Sequence, residues 1–263
     1  MDCAVESLTL GDATGQARLR DVSTVAAAGQ LLAVVGPPGP EKVAFLRAVT
    51  GSLPPEWTLT GRICLGDEEL TGQPTVEWRQ RGIFFAPVSN RPVDLKQSVR
   101  VSLTARAKLG QVPDRALDGW LDRLLDYFPR LAPRADVVAA NLSHGEQAIL
   151  ALALQITTRP RVVAIEHPSN GVSPLGLIEI FSGLRRYARD HQAIAICSEE
   201  NTVALLREAD QILLLHQGRA VFNGTPEELK GDLEALRRLG LTAQRVRYGR
   251  SSRPMSRLGD EKS

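Results

Sequence analysis

Cysteine is scarce in this chain. Cys3, Cys64 and Cys197 are its only thiols, and their wide, unpaired spacing fits neither a disulfide framework nor a zinc site. They read as reduced and mostly buried, and no metal-ligand set is assigned. Long apolar runs are missing as well. No stretch approaches the roughly 20 residues that a membrane-spanning helix needs, and the opening Met1-Asp2-Cys3-Ala4-Val5-Glu6 carries neither a basic nor an apolar leader region. The chain is therefore expected to be made and kept in the cytosol, where a partner can still hold it at a membrane. Charge of one sign is lacking too: 32 Lys and Arg against 30 Asp and Glu leave a formal net charge of +2. That sets up no basic field for nucleic acid and implies no acidic substrate. What is present is ordinary globular material, 263 residues of which 43% are hydrophobic and 24% charged. It suffices for the core of one large α/β domain or two small ones.

Residues 5 to 10 alternate, and Gln30-Leu31-Leu32-Ala33-Val34-Val35 is a short apolar run of the kind that forms a strand covered on both faces. It leads straight into Gly36-Pro37-Pro38-Gly39-Pro40, after which residues 42 to 50 take helical spacing. The order is strand, glycine loop, helix. Strands with turns are predicted at 60–67 and 82–87. Between about 95 and 134 the pattern turns helical, with Trp120, Leu121, Leu124, Leu125 and Phe128 spaced to share one buried face. From Asn141 onward helix and strand alternate: helix from Ser143, strand at 161–165, helix from Pro174, strand at 193–197, helix from Asn201, strand at 211–215. Such alternation predicts a parallel sheet with crossover helices. Residues 243–263 are polar and rich in Arg, Gly and Ser, and are expected to form a disordered, solvated basic tail.

The glycine loop stands where a phosphate-binding loop of pattern G-x-x-x-x-G-K-S/T would sit. In such a loop glycines let the backbone curl so that N–H groups and a helix N-terminus face the phosphates, and a lysine reaches the outer pair. Gly36, Gly39 and Lys42 still offer this. Glu41, however, occupies the place of the second glycine and sets a carboxylate beside a polyanion. At ~4 Å and an effective dielectric near 20 that contact costs on the order of 4 kcal/mol, roughly a thousandfold in affinity. Val43 replaces the hydroxyl that would bind magnesium, and Pro40 cannot donate an N–H.

Further along, Asn141-Leu142-Ser143-His144-Gly145-Glu146-Gln147 resembles the signature motif of ATP-binding-cassette proteins, and residues 160 to 174 resemble their second phosphate-site strand and the loop after it. With the glycine loop, Leu213-Leu214-Leu215-His216-Gln217-Gly218-Arg219 and Asn223-Gly224-Thr225-Pro226-Glu227-Glu228-Leu229, these fall in the family's order over about residues 5 to 241. The chain looks most like the subunits that energise importers of branched-chain amino acids and related small polar solutes. The resemblance implies an α/β fold, with a P-loop NTPase-type parallel sheet core, an antiparallel β subdomain and an inserted α-helical subdomain. It places a nucleotide-binding domain at 1–242 and its helical subdomain at about 90–140.

Carried over position by position, the family's roles meet unusual residues. The run Val162-Val163-Ala164-Ile165 leads to Glu166 at the magnesium-holding acidic position and His167 at the hydrolytic base. Glu166 can still hold magnesium through water, and His167 can accept a proton near neutral pH only with its geometry rebuilt. Val88 takes the place of the glutamine that links magnesium to the helical subdomain. Glu200 stands at the switch histidine, where an ionised carboxylate repels the γ-phosphate. Gly11-Asp12-Ala13 supplies no ring for adenine. The losses fall together on groups that each typically contribute 10² to 10⁴ in rate, so the chain's own half-site is expected to bind ATP weakly or not at all and to be inactive.

The signature differs. In this family two cassettes pack head to tail, each signature closing over the ATP of the other. Ser143, the Gly145 backbone and Gln147 stand at a helix N-terminus that favours a γ-phosphate, while Ser143 and Glu146 also form the pattern of a capping box. The resemblance thus implies a degenerate cassette that pairs with a second, intact ATPase subunit and with transmembrane permease subunits at the inner face of the membrane, ATP and magnesium lying at the composite site. The alternatives are a self-sufficient importer ATPase using Lys42, Glu166 and His167, and a regulatory scaffold outside transport.

Overall fold

The computed structural model describes residues 1–87, 93–168, 172–199 and 202–240. The alternating N-terminal run becomes β1 (Cys3–Gly11), which pairs antiparallel with β2 (Ala17–Ala26). The apolar run is β3 (Leu31–Val35), and the glycine loop leads into α1 (Glu41–Ala48). β4 (Thr58–Leu65) returns to pair antiparallel with β1, and a two-residue β5 (Glu68–Glu69) completes a sheet of order β2-β1-β4-β5. After α2 (Thr75–Gln80) come β6 (Ile83–Ala86), then three helices, α3 (Val99–Leu109), α4 (Asp114–Tyr127) and α5 (His144–Ile156). The chain then alternates through β7 (Val162–Glu166), α6 (Pro174–His191), β8 (Ile194–Ser198), α7 (Thr202–Glu208), β9 (Gln211–His216) and β10 (Arg219–Gly224), and ends in α8 (Pro226–Gly231) and α9 (Leu233–Arg238). The second sheet runs β10-β9-β3-β8-β7-β6, parallel except for β10. The predicted parallel sheet, the antiparallel layer and the helical insertion are all present.

A strand's two-residue period divides this sheet between two cores. Leu31, Ala33 and Val35 of β3, with Val163 and Ile165 of β7 and Ala195 and Cys197 of β8, face the core built on α3 to α6. Leu32, Val34, Val162, Ala164, Ile194 and Ile196 face the core shared by α1 and the antiparallel sheet. With both faces covered the strands need apolar residues at every position, which explains the continuous rather than alternating runs. Cys3 and Cys197 are buried in these cores and Cys64 is half-buried, all three as free thiols.

α4 carries the apolar stripe read from the sequence: Trp120, Leu121, Leu124 and Leu125 lie buried with Phe128 just past its end. The Trp120 indole N–H donates to the Thr157 carbonyl at 2.9 Å, which satisfies its polar atom inside the core. Where α4 ends, α6 carries Gly183, and a β-carbon there would lie 2.6 Å from the Tyr127 carbonyl oxygen. The two helices approach that closely because the side chain is missing.

The predicted helix at 42–50 begins one residue earlier, at Glu41, and ends at Ala48. β2, β5, β10, α2, α8 and α9 were not predicted as elements. The expectations for Val88, Glu200 and the 243–263 tail lie outside the described residues.

Candidate functional site

The carboxyl ends of β3, β7 and β8 converge, because Val34 of β3 and Glu166 of β7 both pair in register with Ser198 of β8. Here the backbone leaves the sheet and ligands of parallel α/β folds bind. Gly36 follows β3 directly. Its φ is +151°, and a β-carbon would fall 2.2 Å from the Leu215 carbonyl oxygen of β9, so glycine is demanded by the sheet itself as well as by any phosphate.

The rest of the loop is turned on itself. Lys42 is 1% exposed, and its ammonium donates to the carbonyls of Gly36 at 3.2 Å and Pro37 at 2.6 Å. A buried ammonium needs such oxygens. The Glu41 side chain reaches back over the loop, with Oε2 2.2 Å from where a β-carbon on Gly39 would stand. Glu41 is also the acidic residue of the first turn of α1, the end of the helix that favours an anion. Pro37, Pro38 and Pro40 remove three N–H donors, and Pro40, the residue before the helix, supplies no side-chain cap. Val43 is half-buried and aliphatic. In this loop the lysine is engaged by the loop's own carbonyls, a carboxylate lies beside Gly39, and an aliphatic side chain follows the lysine.

Asp12, where no adenine-stacking ring was found, is buried in the turn between β1 and β2. It accepts hydrogen bonds from the Thr14 hydroxyl (2.6 Å), the Thr14 and Gln16 main-chain N–H groups (2.9 and 3.0 Å) and Arg18 Nε (2.7 Å). The Thr14 hydroxyl foremost, with Arg18 and the two N–H groups, holds its carboxyl at about 2 despite burial. The turn is closed by its own polar atoms.

Beyond β7, His167 has the left-handed φ of +40°, unusual for a residue with a side chain, and its main-chain N–H donates to the Ser198 carbonyl at 3.0 Å. Its Nδ1 lies 3.9 Å from Oε1 of Glu199, a carboxylate fully buried at the end of β8. Glu199 was not singled out by sequence reasoning, although it lies in the Ser198-Glu199-Glu200-Asn201 segment that drew attention. Only the parallel pairing of β7 with β8 brings it to His167. Glu166 is half-buried and lines, with His167, Pro87, Ala148, Ala151 and Gln155, a cleft of about 40 Å³. That holds a few waters at most.

The signature turn is built differently. Ser143 caps α5, its hydroxyl accepting from the Glu146 N–H at 3.2 Å while the Glu146 carboxylate accepts from the Ser143 N–H at 2.8 Å. Arg134 donates to the same carboxylate at 3.1 Å. Burial alone would raise the Glu146 carboxyl, but the hydrogen bonds from Ser143 and Arg134 together hold it below the usual carboxylate range. Ser143 and His144 are exposed and Gly145 is half-buried. The Gln147 amide turns inward and donates to the carbonyls of Ala139 (3.0 Å) and Leu142 (3.4 Å). Ser143 and Gly145 thus stand at the outer side of a capped helix N-terminus, and Gln147 braces the turn from behind. The described residues hold no cluster of three or more His, Cys, Asp or Glu side chains suited to a metal, and none of their helices is long and apolar enough to cross a membrane.

Known proteins resemble this chain in sequence and in fold. The chain is 28% identical over 207 residues to the high-affinity branched-chain amino acid transport ATP-binding protein BraG of Pseudomonas aeruginosa, covering 79% of this chain and 86% of that one. It is 28% identical to a probable branched-chain amino acid transport ATP-binding protein of Archaeoglobus fulgidus, covering 80% and 87%. Among solved structures, an ATP-binding cassette of an ABC transporter in its ADP conformation superposes with a TM-score of 0.75 at 17% identity, covering 95% and 100%. A member of the cbiONQ transporter complex of Clostridium perfringens superposes at 0.74 with 20% identity, covering 94% and 96%. Both share the fold. The ABC transporter family model matches residues 19–170, a span that runs from β2 through the glycine loop, the helical insertion and the signature turn to the loop after β7, and the chain accordingly belongs to the ABC transporter family as an ATP-binding subunit.

Proposed function

We propose that this subunit is a catalytically degenerate cassette that pairs with an intact ATPase subunit, lends its signature turn to the partner's ATP and leaves its own half-site silent. The observation that carries the reading is the contrast between the two ends of the site. Around Ser143 and Gly145 the helix N-terminus is capped, braced by Arg134 and exposed, while Lys42 of the glycine loop is buried against its own carbonyls. In such a pair the magnesium and triphosphate sit on the partner's loop, and α5 supplies dipole and N–H groups to the γ-phosphate. Permease subunits would hold the pair at the inner face of the membrane. Similarity to branched-chain amino acid transport subunits favours a small polar solute as cargo. The test is ATP turnover by a reconstituted pair with an intact cassette: Ser143→Arg lowers the rate by at least tenfold, and Lys42→Ala leaves it within twofold. Loss of turnover with Lys42→Ala refutes the reading.

A second reading, a self-sufficient ATPase, is favoured by one observation, the approach of His167 to the buried Glu199 at 3.9 Å. A carboxylate behind an imidazole is how general bases are oriented. Under that reading the chain alone turns over magnesium ATP, and His167→Ala abolishes it.

A further inference from the structure

We infer that the glycine loop is held shut by the chain's own side chains and that Glu41 is the latch. The inference rests on the proposal that this half-site is silent and states what silences it. Three observations carry it. The Glu41 carboxylate folds back against Gly39, its Oε2 2.2 Å from the position of a β-carbon there. It does so from the first turn of α1, where the helix dipole and the leading N–H groups favour an anion. Lys42, the one cation of the loop, is 1% exposed and donates into the loop to Gly36 and Pro37. The loop thus carries an anion at its helix N-terminus and a cation turned inward, the two charges a phosphate-binding loop needs, both supplied internally.

This differs from simple erosion. An eroded loop has lost affinity in many small steps, and no single substitution restores it. A latched loop keeps its backbone, because Gly36 is required by the Leu215 carbonyl whatever the ligand, and regains a polyphosphate once the carboxylate is removed. Removing one like charge at ~4 Å in an environment of effective dielectric near 20 restores up to roughly a thousandfold in affinity. The three prolines limit how far the loop can rearrange, so the recovery is expected to involve charge more than shape.

The experiment uses the full chain and inorganic tripolyphosphate without magnesium, which takes Val43 and the metal out of the comparison. Binding is followed by calorimetry for the wild type, Glu41→Gln, Glu41→Gly and the double variant Glu41→Gly/Lys42→Ala. The wild type is expected to show no binding below millimolar concentration. Glu41→Gln and Glu41→Gly are expected to tighten it by at least tenfold and up to about a thousandfold, and the double variant to lose that gain. The inference is overturned if both single variants keep the wild-type circular dichroism spectrum and bind no better, or if the wild type binds tightly through Lys42. Tight wild-type binding would also sink the silent half-site. Unimproved variants with an unresponsive wild type would sink the latch alone, leaving the Ser143 test untouched.

Discussion

Gly36 separates what the fold requires of the glycine loop from what a nucleotide requires. Its φ of +151° lies where only glycine is at ease, and a β-carbon would meet the Leu215 carbonyl oxygen of β9 at 2.2 Å. That backbone strain alone costs roughly 1–3 kcal/mol, and forcing a methyl group against main chain adds about 1–3 kcal/mol. The obstacle is the main-chain carbonyl of a strand hydrogen-bonded on both sides, so it cannot rotate away. Gly36→Ala is therefore expected to destabilise the chain by about 3 kcal/mol or more, a fall in Tm of roughly 6 °C or more for a domain of this size, with no nucleotide in the sample. Gly119 is the control: it lies exposed within α4, and a β-carbon added there would meet nothing within 4 Å. Gly119→Ala is expected to stabilise by about 0.5–1 kcal/mol. Thermal melts followed by circular dichroism at pH 7.5 measure both. A Gly36→Ala melt within about 2 °C of wild type would refute the claim that the sheet holds this glycine.

Other outcomes follow from the same geometry. Ser143→Ala removes the α5 cap and should cost about 1 kcal/mol of stability, read as a lowered urea midpoint at unchanged slope. Leu124→Ala opens a cavity in the fully buried stripe of α4 and should cost about 2–5 kcal/mol in the same assay. His191 is half-buried beside Trp120, Tyr127 and Tyr187. Burial foremost, then Arg159 and with it Arg123, pushes its pKa below the ordinary 6.5 against the opposing pull of Asp190. The unfolded chain then binds a proton that the folded chain refuses, so this contribution to stability is complete above pH 6.5 and is lost as pH falls below it. Melts at pH 7.5 and 5.5 should show a drop that His191→Phe reduces; an unchanged pH dependence in that variant would refute the assignment.

Much of the scaffold was legible because burial on both faces writes itself into a sequence as continuous apolar runs. Residues 31–35, 162–165 and 194–197 could hardly be anything but central strands. The stripe of α4 was equally plain at its period of 3.6. β2 escaped because its register shifts at bulges opposite Leu8 and Leu10, which breaks the alternation that marks a strand. α8 and α9, six residues each, are too short for a helical period to declare itself. In the site, the types of residue in the glycine loop and the signature turn could be read from order and spacing, Glu41 and Val43 among them.

Sequence alone settled which chemical groups stand at each position, since identity is local and the loop, signature and strand runs are contiguous. Tertiary structure decided where those groups point. It brought Glu199 to His167 from far along the chain by pairing β7 with β8, turned Lys42 onto its own loop, laid Glu41 beside Gly39, sent Gln147 inward and closed Asp12 beneath Arg18. The reason is physical: a side chain's direction follows from its torsions and from the partners that can satisfy its charge once buried, and in a parallel sheet those partners come from strands separated by whole helices.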